Sequence, residues 1–138
     1  MVENKLVLDT HVWVSIFHKH REEDLIDAIS FKRLLLISCH EQLKEFNHIA
    51  TSKEQVRKML SSTPENYLQF ISGVAEIKHT QKRFSLLHDY KDNYLVDLTW
   101  QSKSVLVSDD VGFAPLKKLK QPKVEVLSKK EFYKWLGW

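Results

Sequence analysis

The chain has 138 residues, 43% of them hydrophobic and 28% charged, a balance that fits a globular fold and excludes a low-complexity tail. With only three Gly and three Pro there is no room for long linkers, and no apolar run approaches the roughly 20 residues a membrane span needs. The formal charge of +3 and a pI near 8.9 permit an anionic partner such as nucleic acid without demanding one.

The length fits one domain over residues 1–138, long enough to bury a core without staples. Cys39 is the only cysteine, so no internal disulfide is possible and a reducing compartment such as the cytoplasm fits. The first residues lack the charged-then-apolar-then-small pattern of a secretory signal.

Residues 5–8, Lys-Leu-Val-Leu, predict a short buried strand that delivers Asp9 to its end. From Thr10 to Phe17, Val12, Trp13, Ile16 and Phe17 recur at helical spacing. Residues 22–30 put acids first and apolar residues at 25, 26 and 29, which suits a helix whose N-terminus favours negative charge. Leu34 to Ile37 predict a second buried strand, and Leu43, Phe46, Ile49 and Ala50 mark a helix over 40–50. Residues 53–61 suit a polar, basic helix. Pro64 sits where a first helical turn begins, and the helix continues to about Gly73. Val74 to Ile77 is a weak strand, and 93–100 a helix with Asp97 expected on its exposed side. Ser104 to Val107 and Val124 to Leu127 predict two more strands. Ser128 then caps a last helix, with Glu131 three residues on completing a capping box. Phe132 and Leu136 at helical spacing, with Trp135 and Trp138 beside them, suit packing of that helix on the core.

Strands alternating with helices predict an α/β fold, a three-layer α/β/α sandwich around a mainly parallel sheet of four to five strands. Functional residues of such sheets lie beyond the carboxyl ends of the strands. Asp9 follows the first strand and Asp109-Asp110 follow the 104–107 strand, so both point to one edge. Each acid also has a plainer role open to it. Asp9 and Asp92 suit helix capping, Glu45 or its neighbour Glu41 a solvated surface, and Asp109-Asp110 a turn. Asp92 stands in line with Leu95, Val96 and Thr99, at the tip of a buried helix face. Carboxylates gathered without a His or Cys cluster suit a hard cation such as Mg²⁺ or Mn²⁺. Gly only at 73, 112 and 137 excludes phosphate-binding glycine loops, and no zinc spacing is present.

Four stretches together resemble the successive motifs of PIN domains: Leu-Val-Leu-Asp-Thr-His-Val-Trp-Val-Ser (6–15), Cys-His-Glu-Gln-Leu-Lys-Glu-Phe (39–46), Lys-Asp-Asn-Tyr-Leu-Val-Asp-Leu (91–98) and Leu-Val-Ser-Asp-Asp (106–110). The nearest likeness is to the VapC-like toxins of type II toxin–antitoxin systems. Pro-Lys-Val-Glu-Val-Leu-Ser-Lys-Lys-Glu-Phe (122–132) resembles the final strand and helix start of that branch. The resemblance implies an endoribonuclease dependent on Mg²⁺ or Mn²⁺, with Asp9, Glu45, Asp92 and Asp110 as its four acids. Thr10, Ser108, Asn93 and Asp109 would support them. It also implies an RNA substrate, a cytosolic antitoxin and often a homodimer. Departures are Cys39 where Ser is frequent, Thr99 where Ala is frequent, and Asp109, which adds negative charge beside the site.

RNA would also need holding outside the cluster. Lys117, Lys118 and Lys120 are closest in sequence to Asp110, while Lys53, Arg57 and Lys58 form one basic helix face and Lys82-Arg83 another patch; each also suits an ordinary solvated surface. One rival is a haloacid-dehalogenase-type phosphohydrolase with Asp9 as nucleophile, but its second acid two residues on is His11 here. Another is a PIN-like RNA-binding protein without turnover.

Overall fold

The computed structural model describes residues 4–80, 93–118 and 124–138. Asp92, Lys82, Arg83 and Lys120 lie outside the described residues.

In chain order the elements are β1 (Asn4–Leu8), α1 (Thr10–His18), α2 (Glu22–Phe31), β2 (Leu34–Cys39), α3 (His40–Ser52), α4 (Glu54–Met59), α5 (Pro64–Val74) and β3 (Ala75–Lys78). There follow α6 (Asn93–Gln101), β4 (Val105–Val107), a 3₁₀ helix (Val111–Lys118), β5 (Glu125–Leu127) and α7 (Lys129–Leu136). The local signals read from sequence are in place. Pro64 opens α5, with the Thr63 side chain accepting from the Asn66 N–H. Ser128 and Glu131 form both halves of a capping box on α7, which ends at Gly137 with φ 82°, where a side chain would be strained.

The sheet has five strands in the order β3-β2-β1-β4-β5, and every pairing is parallel. The chain adds strands outward from β1 to β3, then crosses back to lay β4 on the other side of β1. The order therefore reverses between β1 and β4. In open α/β sheets that reversal opens a crevice at the carboxyl ends, because the flanking connections leave in opposite directions.

Side-chain alternation along the strands divides the core. Leu6 and Leu8, Leu34 and Leu36, and Val107 point to one face, where they meet Trp13, Phe17, Phe46, Ile71 and Phe132. Val7, Ile37, Cys39 and Leu106 point to the other, under Leu95, Val96, Leu98, Phe113 and Leu116. On the first face Phe17 lies 4.4 Å from Tyr67 and 5.6 Å from Phe46, centroid to centroid. The second face is covered by α6 and the 3₁₀ helix.

One expectation is corrected. Asp97 is 2% exposed, not on a solvated side of α6. Residues 95–99 are all buried, so α6 is enclosed on nearly every side instead of presenting a polar stripe.

Candidate active site

Parallel register sets the centre of the site. Leu8 stands opposite Val107, so the chain leaves β1 and β4 side by side and in the same direction. The Asp9 N–H continues the ladder, donating to the Val107 carbonyl at 2.9 Å. Asp9 does begin a helix, but its side chain makes no capping bond to α1. Instead Asp9 Oδ2 accepts a 2.6 Å hydrogen bond from Ser108 Oγ. The same Oγ accepts from the Asp110 backbone N–H at 3.0 Å. One buried hydroxyl thus ties the acid after β1 to the acid after β4, 99 positions apart for the Asp9–Ser108 pair.

Asp110 is held from its other side. Its Oδ1 accepts from the Gly112 N–H at 2.8 Å, at the start of the 3₁₀ helix. A Cβ on residue 112 would lie 3.2 Å from that same oxygen, so a side chain there would crowd the folded-back carboxylate. Asp109 faces away. Its Oδ1 accepts from the Lys129 N–H at 2.8 Å and satisfies a donor that the first turn of α7 leaves open. The extra charge beside the site thus has a structural partner.

Glu45 arrives from α3, which starts where β2 ends. It is half-buried, whereas Glu41 is exposed, so the structure separates the two candidates. Both the Thr10 hydroxyl and the Tyr94 hydroxyl donate to Glu45 Oε1, the latter at 3.1 Å. Neither Tyr94 nor Gln42 stands out in the sequence. Gln42 is fully buried; its Nε2 donates to the Leu8 carbonyl and its Oε1 accepts from Ser38 Oγ at 2.6 Å. From the first turn of α3 it clamps the end of β1 next to Asp9 and ties it to Ser38 on β2. A polar residue on the apolar side of a predicted helix is the signal that could have marked it.

Electrostatics couple the acids by mutual repulsion. Burial pushes the Asp9 carboxyl above its usual range; the Ser108 hydrogen bond, His11 and the Thr10 N–H oppose that, and the Asp110 charge adds to it. Burial also raises Glu45, against the Thr10 and Tyr94 donors, and the Asp9 charge raises it further. A desolvated carboxylate beside others is a group whose ionised form needs a cation. The donors are carboxylate oxygens, which match a hard divalent ion by charge and softness. Among the described residues no group of three or more His, Cys, Asp or Glu side chains is drawn together closely enough to hold a metal.

The remaining candidates are spread out. Asn93 opens α6. Lys117 and Lys118 end the 3₁₀ helix. Lys53, Arg57 and Lys58 lie elsewhere. The α4 carbonyl of Met59 bonds His18 Nδ1 at 3.0 Å, and His18 ends α1, a helix that starts beside Asp9 and runs away from it. That places the α4 cations toward the opposite end of the sheet, with Lys58 paired to Glu54 at 3.2 Å.

The family model described as "PIN domain" matches residues 5–112. Among solved structures, VapBC2 from Rickettsia felis, bound to a DNA fragment from its promoter, has a chain with 12% identity and a TM-score of 0.59 over 90% of this chain and 98% of that one. A domain of a functionally unknown protein from Methanocaldococcus jannaschii aligns with 14% identity and a TM-score of 0.57, covering 91% of this chain and 90% of its own. At these identities the likeness concerns the fold. No curated protein matches the sequence.

Proposed function

Because the model match spans most of the sequence, the chain belongs to the PIN domain family, and we propose that it is a metal-dependent endoribonuclease, the toxin of a type II toxin–antitoxin pair. PIN domains are nucleases, and membership sets the dehalogenase-type reading aside. The observation that carries the proposal is the Ser108 bridge from Asp9 to Asp110 at the β1/β4 reversal, with Glu45 close enough for the Asp9 charge to raise it.

Asp9, Asp110 and Glu45, with Asp92 from outside the described residues, would hold Mg²⁺ or Mn²⁺. Such an ion supplies an activated water and neutralises charge at the phosphate. The chain's own part is preorganisation. Ser108 fixes one Asp9 oxygen and the Asp110 backbone, the Gly112 N–H holds the Asp110 carboxylate against its turn, and Gln42 anchors the strand end that carries Asp9. Fixed carboxylates spare the reaction the cost of reorganising polar groups as charge develops. Asn93 would help orient the acids or the scissile phosphate, and Lys117, Lys118 and Lys120 would contact RNA. Arg57 and Lys58, on α4, would touch only a longer RNA. A cognate antitoxin, a homodimer and a cytoplasmic location complete the reading; the Rickettsia felis match, itself from a VapBC complex, supports the antitoxin. Among the described residues no helix is long and apolar enough to cross a membrane.

The test is cleavage of single-stranded RNA with Mg²⁺ or Mn²⁺, with chelator and with Asp9→Asn. Cleavage that needs metal and disappears in the variant supports the proposal. Equal cleavage by both proteins refutes the site, and no cleavage by the wild type leaves the RNA-binding rival.

A further inference from the structure

Glu45 differs from the other acids in how it is held. Asp9 and Asp110 are held by Ser108 and Gly112, both on the short stretch that leaves β4. Glu45 sits on α3, on a long side chain with more freedom to lose. Two hydroxyls restrain it, one from each neighbouring element. Thr10 is the first residue of α1 and is fully buried. Tyr94 lies in the first turn of α6, packed by its ring against the core of the second sheet face. Their oxygens are 3.4 Å apart, and both donate to the same atom, Oε1.

From this convergence we propose that Tyr94 is a positioning residue: with Thr10 it pins Glu45 by Oε1 so that Oε2 is the oxygen presented to the metal or its water. The inference rests on reading Glu45 as a metal-facing acid. Tyr94 suits the task. Burial and the Glu45 charge keep the phenol protonated, so its hydroxyl is a donor throughout the neutral range. A tyrosine ring has few rotatable bonds, so anchoring it in the core fixes where that donor stands. Among the described residues the hydroxyl bonds only to Thr10 and Glu45.

The test compares the wild type, Tyr94→Phe, Thr10→Val, Glu45→Gln and the Tyr94→Phe/Glu45→Gln double variant. Mn²⁺ affinity is measured calorimetrically without RNA, next to RNA cleavage. Loss of one hydrogen bond to a charged group predicts about ten-fold weaker Mn²⁺ binding for Tyr94→Phe. Thr10→Val should weaken it similarly, and serves if Tyr94→Phe does not fold. In the Glu45→Gln background, Tyr94→Phe should change affinity less than about two-fold, because the group it acts through is already altered. Affinity unchanged by Tyr94→Phe, or lost equally in both backgrounds, overturns the proposal. Mn²⁺ binding with no RNA cleavage would sink the nuclease reading and leave this one standing. A wild type that binds no Mn²⁺ overturns both.

Discussion

Asp9→Asn should make the metal-free protein more stable at neutral pH while abolishing its activity. Asp9 is 7% exposed, and burial is the largest cause holding its carboxyl above the ordinary value of 3.8. The sign follows from proton counts. Between the unfolded and the folded pKa the native state binds more protons than the unfolded one, so stability falls as pH rises through that window. Above the folded pKa the whole penalty is present, about 1.4 kcal/mol for each unit the fold adds. Asparagine keeps an oxygen for the Ser108 hydroxyl and removes the charge facing Asp110 and Glu45. A gain on the order of 1 kcal/mol would raise Tm by about 3–5 °C for a chain of this size. The assay is thermal unfolding of both proteins in chelator from pH 3.5 to 8. The difference should be near zero below the ordinary carboxylate range and grow with pH. Adding Mg²⁺ should then stabilise the wild type and not the variant. An Asp9→Asn protein that is less stable at pH 7, or equally offset at every pH, would refute the reasoning.

Ser108→Ala removes the strongest influence lowering the Asp9 pKa, so the acid limb of the pH–activity profile should move to higher pH, read from kcat/KM against pH. Gln42→Leu leaves the Leu8 carbonyl and the Ser38 hydroxyl unpaired in a dry core; a loss of about 2–4 kcal/mol is expected in urea unfolding. Phe17→Ala empties the centre of the aromatic cluster with Phe46, Tyr67 and Phe70 and should cost about 3–5 kcal/mol by the same measurement. Ser128→Ala breaks the capping box of α7 at a cost of about 1 kcal/mol, visible as a small fall in Tm.

Much of the fold is legible because its signals are local. Pro64, the Ser128–Glu131 box and the apolar runs of β1, β2 and β4 act within a few residues of themselves, and the elements they predict are present. Asp97 shows the limit. Its burial depends on what encloses α6, and periodicity in one helix carries no information about a neighbour on its second side. Glu45 shows another. Helical spacing leaves Glu41 and Glu45 as equals, and only the approach of Thr10 and Tyr94 separates them.

The sequence by itself determined the order of strands and helices, the residue types at the strand ends, and the resemblance of four short motifs to PIN domains. Tertiary structure decided which strands are neighbours. Because β4 returns to lie beside β1, Asp9 and Asp110 meet through Ser108, and the order of strands along the chain does not dictate that pairing. It also decided the supports, Tyr94, Gln42 and Gly112, because a hydrogen bond depends on distance in space, and these partners are set by packing between elements or by the exact path of a turn.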